Sequence, residues 1–400
     1  MLVLAGCGTA LPQPAALDTN RAFARDVVAD LPELPSYRIG LNTEVTGTGA
    51  QIGDLSVRAA RLAIEEINGT GGVDGVPLEL VVRDCRSNPD AALEQYRAAL
   101  AHDRLVALLG PFKSAYAVRI VPEHRSSTLP MLIGATNATL TAQGDANLFR
   151  MRPSDLLTSA AMTALAVDRL GKRRVAIIHD SDAFGSGGAR NISANLADRG
   201  LAPVAREQYS TGARDFDTLV RNVAAAGPDA VLIYGTNTTD VGFLLRAIRY
   251  WNLDATIVTS PSGATTVAHD IAAEAQDQIY VAMDGFFAAT PAGRRFEQVF
   301  SARFGIPPDT YVAWIYDSIY LLAGILREHG AEPQAISAAL RTARHTGVQG
   351  VYQFDAQGEG LHQVTLVQMA AGQPQLVGSY SMAGFVPRPG APLPSAEAGP

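Results

Sequence analysis

Short apolar runs alternate with longer amphipathic stretches from Tyr37 to about Met283, and this alternation restricts the fold more than any other feature of the chain. The runs YRIGLN (37–42), LELVVRD (78–84), LVALLG (105–110), PMLIGA (130–135), RVAIIHD (174–180), AVLIYG (230–235), TIVTS (256–260) and QIYVAM (278–283) read as buried strands. Between them lie helical stretches. In GDLSVRAARLAIEEIN, for example, Ala60, Ala63, Ile64 and Ile67 share one face. Others are PDAALEQYRAALAHD, SDLLTSAAMTALAVDRLG, TTDVGFLLRAIRYWN and TYVAWIYDSIYLLAGILREHG. Strands that alternate with helices predict an α/β protein whose parallel sheets are covered on both faces. The rhythm runs once from Tyr37 to about Arg150 and again from Arg174 to about Met283, which predicts two doubly wound parallel-sheet lobes. Ligands of such sheets sit beyond the carboxyl ends of the strands. The loops there (GPFKSAYA, GATNATLT, HDSDAFGSGG, YGTNTTD and TSPSGATT) are rich in small and hydroxyl residues. They leave room and place backbone N–H groups at helix starts, where an anion is welcome.

Composition narrows the function classes. Four hundred residues suit two domains of ordinary size. Net charge is −7 and the densest basic stretch is Lys172-Arg173-Arg174, so nucleic acid is not expected as a partner. No run of about eighteen apolar residues occurs, so no spanning helix is expected. Two cysteines do not make a disulfide framework. Cys85 reads as a semi-buried strand-end residue rather than a nucleophile. Residues 8–36 are rich in Ala, Pro and Asp and read as a tether, and the Pro-rich end PRPGAPLPSAEAGP reads as a disordered tail.

Motifs for catalysis do not assemble. GTGGVDG (69–75) follows a helix and precedes a strand, the reverse of a dinucleotide fingerprint, and reads as a glycine turn. The histidines show no metal-ligand spacing; His179 is either at the cleft border or a polar loop residue. AFGSGGA lacks the spacing of a nucleophile elbow, so Ser186 reads as a helix cap. No catalytic residue, metal or cofactor is expected, which favours binding over a reaction.

In order along the chain stand IGLNTEVTGTGAQIGD, RLAIEEINGTGGVDGVPLELVVRDCRSNPDAA, LVALLGPFKSAYA, LFRMRPSD, RVAIIHDSDAFGSG and DFDTLVRNVAAAGPDAVLIYG. With these stretches the core, roughly residues 37–380, resembles the periplasmic branched-chain amino acid binding proteins. These are substrate-binding subunits of ABC importers with the type I periplasmic fold. The resemblance implies two lobes joined by a three-segment hinge that closes on ligand like a flytrap. Lobe one would be 37–155 plus 285–352. Lobe two would be 156–284 plus 353–380, with VYQFDAQGEG marking the last crossing and 381–400 left as tail. It also implies a ligand carboxylate held from lobe one by Ser and Thr hydroxyls and backbone N–H groups, with Ser114 at the serine position, Thr136 at the threonine position and Gly134 at the position that offers a backbone carbonyl to the ligand. Asp155 matches an acid near the site and hinge, or caps the helix that follows. Phe184 and Tyr311 match aromatics at the cleft, or are core. Asn237 stands where an aromatic is expected, with Asp240 nearby.

Two departures bear on the ligand. The family's ammonium-holding acid has no counterpart in SPSGATT, where Pro261 stands near its position, and an unpaired ammonium in a closed cleft is costly. A carboxylate, an amide or an aromatic acid fits better than a simple aliphatic amino acid. Lys113 replaces one half of the family's lobe-one disulfide. The expected partners are therefore a small amino-acid-like, amide or carboxylate molecule and ABC permease subunits. An extracytoplasmic binder also gives meaning to Leu4-Ala5-Gly6-Cys7, which resembles a lipobox within residues 1–36. Lipid-anchored Cys7 would be the only contact with the membrane, in a periplasm or on a Gram-positive surface. The rival readings are a ligand sensor of a signalling system and an enzyme on a doubly wound fold.

Overall fold

The computed structural model describes residues 36–285 and 287–388. Strands β1 (Tyr37–Thr43), β2 (Leu78–Asp84), β3 (Ala107–Leu109), β4 (Met131–Ile133) and β5 (Leu148–Arg150) form one sheet in the order β2-β1-β3-β4-β5. Every pair in it is parallel, so each connection must cross a face of the sheet. The crossover helices Ala50–Gly69 and Pro89–His102 do this within a residue or so of where their periodicity ends in sequence. The turn at 69–75 needs left-handed backbone at Gly72 (φ +74°) and at Gly75 (φ +85°), as its glycines suggest. Helix Thr310–His329 returns from the far end of the chain to pack on Ala50–Gly69, burying Val312, Ile319 and Leu322 against Leu62 and Ala63.

The second sheet holds β6 (Val175–Asp180), β7 (Ala205–Tyr209), β8 (Ala230–Tyr234), β9 (Thr256–Thr259) and β10 (Tyr280–Met283), all parallel. A short antiparallel ladder, β11 (Arg344–Thr346) with β12 (Val351–Gln353), stands apart. Strands β13 (Gln363–Ala370), β14 (Gln373–Ser381) and β15 (Gly384–Pro387) extend the second sheet on the β10 side. These three pair antiparallel, which departs from the wholly parallel sheet expected. The reason is local: only Ala371 (φ +49°) and Gly372 (φ +71°) separate β13 from β14, a two-residue hairpin turn too short for a crossover. The same hairpin carries the lobe past the expected boundary at 380, because β15 pairs with β14 as far as Pro387. Central strands are closed on both faces; Ile177 and Ile178 have no exposed surface, and burying such a side chain contributes about 1.5–3 kcal/mol.

Three chain segments cross between the sheets: Met151–Ser154 after β5, Asp284 and Gly285 after β10, and the stretch from Phe354 to His362 before β13. Two buried arginines tie them together. Arg150 sits beside the third segment, exchanging backbone hydrogen bonds with Gly358 (2.7 Å) and Gly360 (3.0 Å), and its Nε donates to Glu359 Oε1 at 3.0 Å. Arg152 reaches the second segment, its Nε donating to Asp284 Oδ2 at 2.5 Å. The crossings thus form one charge-paired hinge.

Candidate functional site

In both sheets the strand order reverses at one place, between β1 and β3 and between β6 and β8. Adjacent strands there send their connections to opposite faces and leave a crevice beyond the strand ends. The loops leaving β3, β6 and β8 come from those places, and they meet the loop after β4 around a narrow gap of about 20 Å³. That is room for about one water, so a solute enters only when the lobes part. The first sheet's side contributes Phe112, Lys113 and Ser114 after β3, Thr136 after β4, Arg152 from the first crossing, and Tyr311. The second contributes Phe184 and Thr236.

Helix Ser114–His124 opens at the gap with no side chain capping it, which leaves amides of its first turn without a capping partner. Ser114 Oγ accepts from Asn137 N at 3.2 Å and is held in place by it. Asn137 also reaches across, its Nδ2 donating to Ala183 O of the other lobe at 3.0 Å. Lys113 does not point freely: its Nζ donates to Glu44 Oε1 (2.8 Å), which also accepts from Tyr116 Oη (2.7 Å). On the far wall Thr236 Oγ1 donates to Asp182 Oδ2 at 2.6 Å, and Phe184 lies against Tyr234 with ring centroids 4.6 Å apart.

Arg152 is the strongest charge in the lining. It is 3% exposed, with its guanidinium 4.7 Å from the Phe112 ring centre and 4.9 Å from that of Tyr311. Burial is the largest influence on its pKa and opposes its charge, but the charge and hydrogen bond of Asp284 together with its other neighbours more than offset it and hold the pKa above the usual value. The Tyr311 hydroxyl is pushed well up by burial and stays protonated.

Of the residues expected from sequence, Ser114, Thr136, Phe184 and Tyr311 line the gap, while Gly134, Asp155 and Asn237 do not. Gly134 packs under Trp314, where a Cβ would lie 2.6 Å from the indole, and its carbonyl accepts from Arg152 Nη1 at 2.9 Å. Asp155 is wholly buried; its Oδ1 accepts from Tyr234 Oη at 2.9 Å, and burial pushes its carboxyl up to about 6 against the pull of Thr136 and Arg150. Asn237 caps helix Thr238–Tyr250, accepting from Thr239 N at 3.0 Å, and the neighbouring Thr236 faces the gap instead. Asp240 accepts from Gly212 N (2.6 Å) and Arg214 (2.6 Å), away from the lining. Sequence reasoning missed Phe112, Lys113, Arg152 and Thr236. The pair of arginines two apart in LFRMRPSD was the one available signal, since residues two apart in an extended segment share a face and two like charges set side by side there each need a partner.

Other expectations meet plainer outcomes. Cys85 is fully buried, and burial pushes its thiol up to about 12, as for a structural cysteine. His179 is buried in β6 with Nδ1 2.8 Å from Asp180 O, rather than at the cleft. Helix Ala183–Ala197 is capped by Asp182, which accepts from Gly185 N at 2.8 Å, so Ser186 falls inside its first turn. Among the described residues no group of three or more His, Cys, Asp or Glu is placed to hold a metal, and no helix is long and apolar enough to cross a membrane. Cys7, the tether and residues 389–400 lie outside the described residues.

Two α/β lobes, three paired crossings and one gap walled from both sides define a class: hinged binding proteins that close over a small solute. A family model described as periplasmic binding protein matches residues 36–374, and the chain belongs to that family. It is similar to the leucine-, isoleucine-, valine-, threonine- and alanine-binding protein of Pseudomonas aeruginosa, 26% identical over 326 residues that cover 81% of this chain and 87% of the relative. Among solved structures it is similar to the leucine binding protein LivK of Thermotoga maritima (TM-score 0.79, 22% identity, 87% of this chain and 99% of that one). It is also similar to an ABC transporter solute binding protein of R. palustris in complex with benzoate (TM-score 0.79, 18% identity, 89% and 98%).

Proposed function

We propose that this chain is the extracytoplasmic solute-binding subunit of an ABC importer. It encloses a small amino-acid-like or carboxylate molecule between its lobes and presents it to permease subunits. One observation carries this reading: the hydroxyls of Ser114 and Thr136 and an uncapped helix start face Phe184 and Thr236 of the opposite lobe around one small gap. Neutral donors and a helix start bind an anion without a dedicated opposing charge. The hinge lets the lobes part for entry and release. The family's solved members hold different solutes on one scaffold, an aromatic acid in the R. palustris protein, so side chains and not the fold set the ligand. The matching family is one of binding proteins, and we assign this chain binding and no reaction. Cys7 is proposed as the lipid attachment point that keeps the binder at the membrane surface.

The test is small-angle scattering together with thermal melts of the purified chain, with L-leucine and benzoate as first probes and a wider amino acid and organic acid panel behind them. A probe at a hundred times its Kd stabilises by about 2.7 kcal/mol and shrinks the particle as the lobes close. A chain that neither compacts nor gains stability with any member of the panel is not a solute-binding subunit.

A further inference from the structure

The gap is lined by two cations, three aliphatic hydroxyls and three aromatic rings, and by no carboxylate. From this we infer that the solute is an aromatic monocarboxylate without an α-amino group, its carboxylate resting on Arg152 and its ring between the aromatic walls. This rests on the solute-binding reading above and narrows it.

Arg152 has donors to spare. Its Nε is used by Asp284 and one hydrogen of Nη1 by Gly134 O. Its Nη2 meets no acceptor among the described residues. A guanidinium carries five N–H donors, and Nη2 is not among the polar atoms sealed from solvent, so its hydrogens are open to an incoming acceptor. A carboxylate entering the gap satisfies them, and the uncapped start of helix Ser114–His124 adds amides on the same side. The rings of Phe112 and Tyr311 fix the guanidinium in position before any ligand arrives.

An ammonium finds the opposite environment. Each carboxylate around the gap is already engaged: Asp284 by Arg152, Glu44 by Lys113 and Tyr116, Asp182 by Thr236 and Gly185 N, and Asp155 by Tyr234. The second oxygen of Asp155 has no hydrogen-bond partner, but it is closed to solvent and Asp155 is not part of the lining. The carbonyl of Gly134 is occupied by Arg152. Burying an ammonium here would leave it beside a guanidinium and without a free counter-charge. The remaining wall is aromatic. Phe184, Phe112 and Tyr311 offer ring faces and edges, which suit a flat ring in offset or edge contact.

Calorimetry on the full chain tests this with probes that differ only in the amino group: 3-phenylpropanoate against L-phenylalanine, and 4-methylpentanoate against L-leucine, with benzoate alongside. Each desamino acid is expected to bind at least tenfold more tightly than its amino acid, and an aromatic acid to bind most tightly of all. Arg152→Gln is expected to weaken that best acid at least thirtyfold. Because Arg152→Gln strands Asp284, the double variant Arg152→Gln/Asp284→Asn is measured too, its fold checked by circular dichroism. Equal or tighter binding of the amino acids overturns the inference while the solute-binding reading stands, as does a best acid that is aliphatic. Unchanged affinity in the folded double variant removes Arg152 from the site. Binding of none of the five probes also overturns the inference, and compaction by another member of the wider panel then shows that the solute-binding reading survives it.

Discussion

Ser114, Thr136, Arg150 and Arg152 show how single side chains divide the work of holding and of recognising. Ser114 and Thr136 present hydroxyls to the gap from two neighbouring strand ends. Ser114→Ala with Thr136→Ala is expected to weaken a bound carboxylate at least tenfold by calorimetry, since two donors to a charged acceptor are lost and each is worth about 1.5–3 kcal/mol. Arg150, two residues from Arg152, does not touch the gap. It has no exposed surface and donates to Glu359, to Asn137 O at 2.8 Å and to Thr141 Oγ1 at 3.0 Å. Arg150→Met should therefore cost about 3–5 kcal/mol in denaturant unfolding, because it leaves a carboxylate and three acceptors, Ala135 O among them, without their donor.

At the scale of elements, helix packing carries part of the site. Helix Ala183–Ala197 lies so close to β8 that a Cβ at Gly188 would stand 2.1 Å from the Tyr234 ring. Gly188→Ala must push that helix off its sheet, and overpacking of this kind costs about 1–3 kcal/mol. The same helix carries Phe184, so a chemical melt and a ligand titration of this variant should fall together. Helix Thr310–His329 depends on a buried acid: Asp317 accepts from Val348 N (2.8 Å), Gln349 N (3.2 Å) and Tyr352 Oη (2.9 Å). Burial nevertheless pushes its carboxyl up to about 6. A carboxyl raised in the folded state contributes stability that is complete below its unfolded pKa and is lost as pH rises through about 6. The advantage of wild type over Asp317→Asn should thus shrink by about 2–3 kcal/mol between pH 4 and pH 7.5, since a carboxyl that ionises near 3.9 when unfolded is held to about 6 in the fold. Equal urea stabilities of the pair at both pH values would contradict this.

For the molecule as a whole, the hinge joins recognition to motion. Arg152 belongs both to the lining and to the charge pair with Asp284 that binds two crossings, so a ligand on Arg152 acts at the pivot itself. Closure also uses contact between the lobes, and the bond from Asn137 Nδ2 to Ala183 O spans them directly. A net hydrogen bond contributes about 0.5–1.5 kcal/mol. Asn137→Ala should accordingly favour the open form and weaken ligand roughly two- to tenfold, with a larger unliganded radius of gyration in solution scattering.

The alternation of apolar runs and amphipathic stretches was enough to place eight strands and five helices near their observed ends, because buried parallel strands and crossover helices each carry a local period. β5, β7 and the β13–β15 ladder escaped it: β5 and β15 are short, and β7 alternates exposed and half-buried residues at a sheet edge. Ser114, Thr136, Phe184 and Tyr311 were legible because the stretches around them resemble those of the periplasmic branched-chain amino acid binding proteins, position by position. Arg152 was not. Its meaning depends on Phe112 and Tyr311, Asp284 and the Gly134 carbonyl, which are distant in sequence and meet only when the chain has crossed between the lobes. Local pattern determined which segments are strands and helices; only the tertiary structure decided which charges end up buried together, since desolvation and pairing depend on neighbours in space.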